Sequence, residues 1–357
     1  MSRKLVKAAF ATVIVALWAA IPASAQNGFN HPGNILIADQ FNNRIIEVDP
    51  VSRNIVWHFG DGSSVAGPHS VVAPNDAQRI GNLTLIAGPG APQGTEPGCA
   101  NAPCPDNRVF VVDPSGNIVW QYGKAGVSGS GFNRLNTPVQ ATFLPNQDVL
   151  ITDQVNERVI EVTPDRHIVW QYGMTGVTGN GFDQLNNPNS AELLENGHIL
   201  MADENNNRVI EVNRAKQVVW SYNNSGDPTV LNGAAFASRI CNGDTVITDS
   251  NNNRVLEVDS SGNVVSTYYT NTQPGSITNP LPTRAIRLCG GNTLISNQFD
   301  GQVIEIDPQQ NIVLALGKIG VNGHGPGELN GPYDAKVIGD YTGITPPFGG
   351  FFLEPGN

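Results

Sequence analysis

Charge is scarce in this chain. Asp, Glu, Lys and Arg make up 14% of its 357 residues, against roughly a quarter in an average globular protein. Basic residues are scarcer still, 20 against 31 acidic, for a formal net charge of −11. Gripping phosphate takes a basic surface, so the composition excludes nucleic acid as a partner. Past residue 25 no apolar run is long enough to span a bilayer, and the sequence carries only 4 Cys and 3 Met. By contrast 39 Gly and 25 Pro are present. Low charge with abundant turn formers disfavours long solvated helices and favours short strands joined by tight turns. At 39% hydrophobic the chain has enough apolar side chains for a sizeable core, which argues against disorder.

Residues 1–25 read as a cleaved export signal. Arg3, Lys4 and Lys7 form a basic n-region, Ala8 to Ile21 an apolar segment, and Ala23-Ser24-Ala25 a small-x-small cleavage pattern. The mature chain is then expected to start near Gln26, secreted or periplasmic, with no membrane span. Cleavage removes three basic residues and no acidic one, which takes the net charge to −14. Export permits disulfides. The cysteines fall into two expected pairs, Cys99 with Cys104 and Cys241 with Cys289.

The dominant feature is internal repetition. Asn34 to Gly60 reads NILIADQFNNRIIEVDPVSRNIVWHFG, and Asp148 to Gly173 reads DVLITDQVNERVIEVTPDRHIVWQYG. Further copies begin at His198, Asp244 and Asn292. A sixth is split by an insertion at 88–106, which holds Cys99 and Cys104. The equivalent positions Arg44, Arg108, Arg158, Arg208, Arg254 and Gln302 lie 64, 50, 50, 46 and 48 residues apart, the long interval containing the insertion. Each unit has three apolar runs rich in Val, Ile, Trp and Tyr, separated by Asn-, Asp- and Gly-rich turns, which is the chemistry of strands and hairpins. The runs are nearly continuous rather than alternating, so both faces of each sheet should be covered.

A fourth strand with a fixed Ala precedes five of the trios: PNDAQRI, PVQATFL, PNSAELL, AAFASRI and PTRAIRL. The first trio lacks one, while PYDAKVI at 332–338 has no trio after it. The predicted fold is therefore all-β, a six-bladed propeller of four-stranded antiparallel blades spanning 26–357. The C-terminal strand closes it by pairing into the N-terminal blade, with a tail at 341–357 left over.

The connectors GKAGVSGSGFNRLNTP, GMTGVTGNGFDQLNNP and GKIGVNGHGPGELNGP, with the D-x-x-N-x-R-V that follows, resemble those of NHL-repeat propellers. The EVDPSGNIVWQYG-like segments show a fainter similarity to arylsulfotransferases and quinone-cofactor propellers. The NHL resemblance covers essentially the whole mature chain. It implies a six-bladed ring and a binding platform more than any one reaction.

The repeated Asp and Arg, one pair per blade, read as fold-determining, as do the tryptophans at one position of the outermost strand. Functional residues should instead differ between blades at the channel mouth. Just before the fixed Ala, in ring order, come Asp334, Asp76, Gln140, Ser190, Phe236 and Arg284, with Asn75 and Asn189 one step earlier. From these, Asn75, Asp76, Gln140, Asn189, Glu192, Arg284 and Asp334 are the candidate ligand-binding residues. Neighbouring Asp76 and Asp334 with the asparagines offer oxygen ligands suited to Ca²⁺ or another divalent cation. In the competing arrangement Arg284 simply neutralises Asp334. The expected function is a monomeric, non-catalytic binding module for an extracytoplasmic protein, a glycan or a small molecule. The alternative is a metal-dependent hydrolase of lactonase type, with Glu192, Asp76 and Asn189 as ligands, or an arylsulfotransferase-like enzyme. None of the six histidines falls on an inner strand, and no nucleophile elbow or zinc-ligand cluster is present.

Overall fold

The structure is a computed structural model that describes residues 28–223 and 230–340. The expected signal segment at 1–25 and the tail with Phe348, Phe351 and Phe352 lie outside the described residues.

Six four-stranded antiparallel sheets stand in a ring, each running outward from inner strand a to outer strand d. The inner strands of blades one to six are Pro332–Val337, Asp76–Ile80, Pro138–Phe143, Pro188–Leu193, Ala234–Arg239 and Pro282–Arg287. Blade one is closed as expected: Pro332–Val337 pairs antiparallel with Ile35–Asp39, with Ala335 opposite Ile37. Past that strand the ladder continues through the Ile338 N–H to Asn34 O (2.8 Å) and the Gly33 N–H to Ile338 O (2.9 Å).

The repeat chemistry explains how the blades hold their shape. Asp39, Asp153, Asp203 and Asp249 end strand b, and each takes an Arg Nε of strand c on one oxygen, Arg44, Arg158, Arg208 and Arg254, at 2.6–2.8 Å. The other oxygen accepts the connector N–H of Asn330, Asn136, Asn186 or Asn232, each at 2.7 Å. The pair therefore ties the connector to the blade instead of forming a charged ring. In blade one Asn42, three residues on, also donates to Asp39 (2.8 Å). Blade six exchanges this Asp and Asn, so that Asn297 donates to Asp300 (2.8 Å), and Asp300 receives the connector N–H of Ile277 (2.9 Å). Burial raises the Asp39, Asp153, Asp203 and Asp249 carboxyls above the ordinary range, and the arginines pull the other way. The Gly that ends strand d is required by shape. At Gly123 and Gly317 φ is +92° and +89°, and a Cβ would sit 2.2 and 2.1 Å from the carbonyl oxygens of Asn107 and Gly301.

The core lies between blades. Trp57, Trp120, Trp170 and Trp220 wedge into successive seams, each donating its indole N–H to a turn carbonyl of the next blade: Pro114, Pro164, Arg214 and Ser260, at 2.8–3.2 Å. In blade two the insertion extends strands b and c to nine residues each, Leu83–Ala91 and Cys104–Val112. Cys99 and Cys104 form the expected disulfide, with Cα atoms 5.5 Å apart. The second expected pair is not bonded. Cys241 and Cys289 are exposed and not joined by a disulfide; they sit in the turns after the inner strands of two different blades, and the Cys289 N–H donates to Asp340 Oδ2 of blade one (2.8 Å).

Candidate functional site

An innermost strand exposes one edge to the axis, and its N–H groups need acceptors. Here the preceding blade supplies them. Asp334 accepts the N–H of Ala77 (3.3 Å), Asp76 that of Ala141 (3.1 Å), Gln140 that of Ala191 (2.6 Å) and Ser190 that of Ala237 (3.2 Å). Two residues on, the same face repeats the device: Gln78 accepts from Phe143 (2.8 Å) and Glu192 from Arg239 (3.1 Å). The variable residues before the fixed Ala thus stitch one blade to the next. Phe236 and Arg284, the other two, carry no acceptor.

Lys336, which the sequence reasoning passed over, sits between the paired carboxylates. Its Nζ donates to Asp76 Oδ1 (2.6 Å), Asp334 Oδ2 and Ala77 O (2.9 Å). Burial would push the lysine down, but the two carboxylates more than offset it and hold it above its usual range. Burial also raises Asp334, to about 6, with Asp76 adding to it and Lys336 and Arg284 opposing. An ammonium of the chain's own therefore fills the place expected for a divalent cation, and Arg284 is second to it, its Nε 3.9 Å from Asp334 Oδ1. A metal among Asp76, Asn189 and Glu192 does not fit this arrangement, since Glu192 faces Arg239 of blade five while Asp76 is committed to Lys336 and blade three. Among the described residues no group of three or more His, Cys, Asp or Glu could hold a metal ion. The signal for Lys336 was present: it is the only basic residue two places after the variable position in the six inner strands.

Above this layer the axis is closed by side chains. Asn189 of blade four reaches Tyr333 of blade one, its Nδ2 2.9 Å from the hydroxyl oxygen and 2.8 Å from Glu204 Oε2. Burial, with the Glu204 charge adding, pushes the Tyr333 hydroxyl up to about 12. Asn75 accepts from Gln40 (2.7 Å), which accepts from Gln298 (2.6 Å). Gln40, Glu204 and Gln298 each follow the fixed Asp or Asn of their repeat, a variable position that marks the mouth as well as the residues before the Ala do. Arg284 lies beneath, 1% exposed, between the rings of Phe236 and Tyr333 at 5.0 and 5.4 Å. Its Nη1 donates to Ala235 O (3.2 Å), and its Nε and Nη2 have no hydrogen-bond partner.

An open concavity lies beside the mouth. A cleft of about 580 Å³ separates the blade-two insertion from blade one and the last connector, lined by Phe41, Arg44, His58, Asp61, Glu96 and His324 among others. Glu96, on the insertion, is 8% exposed. One of its oxygens accepts from Asn43 Nδ2 (2.5 Å) and Ser64 Oγ (3.0 Å); the other, Oε1, is buried without a partner. His324 Nδ1 lies 2.8 Å from Asn42 Oδ1. The cleft is within the size range of ligand pockets, and it presents an aromatic ring, donors and acceptors together.

Fold and axis define a six-bladed β-propeller. No family model and no curated protein matches the chain. Among solved structures it is similar to a Bacteroides caccae protein of unknown function, at 14% identity and TM-score 0.56, covering 80% of this chain and 93% of that one. It is also similar to a chain of a nidogen/laminin complex, at 10% identity and TM-score 0.52, covering 79% and 92%. A catalytically inactive virginiamycin B lyase from Staphylococcus aureus, solved with quinupristin, aligns at 13% identity and TM-score 0.50, covering 81% and 86%. Such likenesses establish the fold alone.

Proposed function

We propose that this chain is an exported, NHL-like propeller acting as a non-catalytic binding module, and that its ligand is a glycan or similarly polyhydroxylated small molecule. The ligand lies at the mouth end of the ring, in the cleft between blade one and the blade-two insertion. The observation that carries this reading is the partnerless Glu96 Oε1 in that cleft, at the one place where an insertion breaks the repeat. A sugar offers a hydroxyl to Glu96, further hydroxyls to His58, Asp61 and His324, and an apolar face to Phe41. The disulfide in the insertion supports an oxidising compartment, and with it export. The axial carboxylates are engaged with Lys336, which favours binding over a metal-dependent hydrolase.

The test is a glycan array followed by titration of any hit. His58→Ala combined with His324→Ala is expected to weaken a true cleft ligand at least tenfold with an unchanged melting temperature, since both side chains are exposed. A hit whose affinity ignores both substitutions would remove the cleft as the site. Hydrolysis of the hit, or stoichiometric divalent metal in the purified protein that chelation removes, would favour the enzyme instead.

A further inference from the structure

Blades one to four place an indole at one point of strand d, and blade five does not. In the strand c to strand d register Trp57 lies opposite Glu47, Trp170 opposite Glu161 and Trp220 opposite Glu211. The same register sets Ser266 opposite Glu257 and Leu314 opposite Glu305. Beneath two of the indoles runs an ion pair to the next blade's inner strand, Arg79–Glu47 at 2.9 Å and Arg239–Glu211 at 3.0 Å. The guanidinium carbons lie 4.8 and 5.2 Å from the Trp57 and Trp220 rings. The seam between blades five and six keeps the pair, Arg287–Glu257 at 2.6 Å, but Ser266 supplies no ring to cover it. What fills the space is a cavity of about 150 Å³ bordered by Ser266, Arg287 and Pro308, with Val255, Tyr268 and Ile306 as apolar walls. Pro308 stands where Pro114 and Pro164, the carbonyl acceptors for Trp57 and Trp120, stand in their blades.

We infer that this seam is a binding site for a planar N–H heteroaromatic molecule of the indole class. The ring lies on the Arg287 guanidinium, where cation–π attraction adds to burial, and its N–H donates to the Pro308 carbonyl, as the four built-in indoles do in their own seams. A cavity of about 150 Å³ is large enough to take up benzene in another protein; here Glu257, Thr293, Asp307 and Gln310 add polar groups to the wall, which suits a ring that carries an N–H. The site lies at the end of the ring that carries the c–d turns, away from the mouth, so it is independent of the cleft ligand.

The probe is indole itself, titrated into the full chain and read by calorimetry and thermal unfolding. Saturable binding with a raised melting temperature is expected, and 1-methylindole, lacking the donor, should bind about fivefold more weakly. Ser266→Trp should raise the melting temperature and abolish binding. Ser266→Leu, the residue type that blade six already accommodates as Leu314, should also abolish it and serves if the larger residue fails to fold. Absence of saturable binding up to the solubility of indole would overturn the site, as would equal affinity for indole in the wild type and in S266L. Equal affinity for 1-methylindole would overturn the role given to Pro308.

Discussion

Glu192 shows how a single position carries a structural task with an acid-base consequence. It accepts an N–H of the next blade from a site 7% exposed, and burial pushes its carboxyl up to about 8, against hydrogen bonds from Arg239 and Ser238 that lower it. A carboxyl raised on folding contributes stability that is fully present below its unfolded value near 4.5 and is lost as pH rises towards 8. Glu192→Gln keeps the acceptor, as Gln78 does for Phe143 in blade two. The variant is therefore expected to be more stable than the wild type at pH 8 and above, with a flatter profile between pH 4.5 and 8 in denaturant titrations. Parallel profiles for the two proteins would mean that Glu192 is ionised in the fold. At this scale the sequence was legible up to a point. The fixed Ala and the variable residue before it located the axis, but hydrogen-bonding direction is not written in composition. Asp334, Asp76 and Gln140 looked like ligand donors and prove to be acceptors for neighbouring backbone.

Among the elements, the blade-two insertion is the one that periodicity could not resolve. The repeat register located it, and the spacing of Cys99 and Cys104 identified their bond. How its turn leans on blade one depends on side-chain contacts with no period: Glu96 on Asn43 and Ser64, and Gly98 against Ser64, where a Cβ would meet Oγ at 2.1 Å. Replacing both Cys99 and Cys104 by Ser should lower stability by about 2 kcal/mol on the chain-entropy argument and weaken any cleft ligand, because Glu96 precedes the bonded segment. A melting temperature equal to that of the wild type would show that the Asn43 and Ser64 contacts alone fix the loop. The Cys241–Cys289 expectation failed for a related reason: equivalent positions in adjacent repeats share a location within the blade, not proximity to each other.

For the molecule as a whole, blade counting from sequence succeeded because one orphan strand and one incomplete trio balance. Deleting residues from Gly331 onward removes the inner strand of blade one together with Lys336, and leaves Asp76 buried without its cation. Loss of cooperative folding or aggregation is expected, since the cost approaches the whole margin of a typical domain. A control ending at Asp340 keeps the closing strand and should melt close to the full chain. Equal melting of the two truncations would contradict closure by that strand.

The stitching along the axis has a direction, and it is interrupted. Asp334, Asp76, Gln140 and Ser190 fasten four successive seams in one sense around the ring, and then Phe236 and Arg284 offer no acceptor. At the last seam Lys336 and Asp334 belong to the closing strand, and Arg284 lies beside Asp334. Both seams of blade six lack the indole wedge as well as the forward stitch: Ser266 and Leu314 stand at the indole position, and the seams are left with the Arg287–Glu257 pair on one side and Arg284 beside Asp334 on the other. The ring thus parts most readily on either side of blade six. Thermal opening and slow solvent entry should start at these two seams, and a chain recut at one of them would disturb the four indole-wedged seams least.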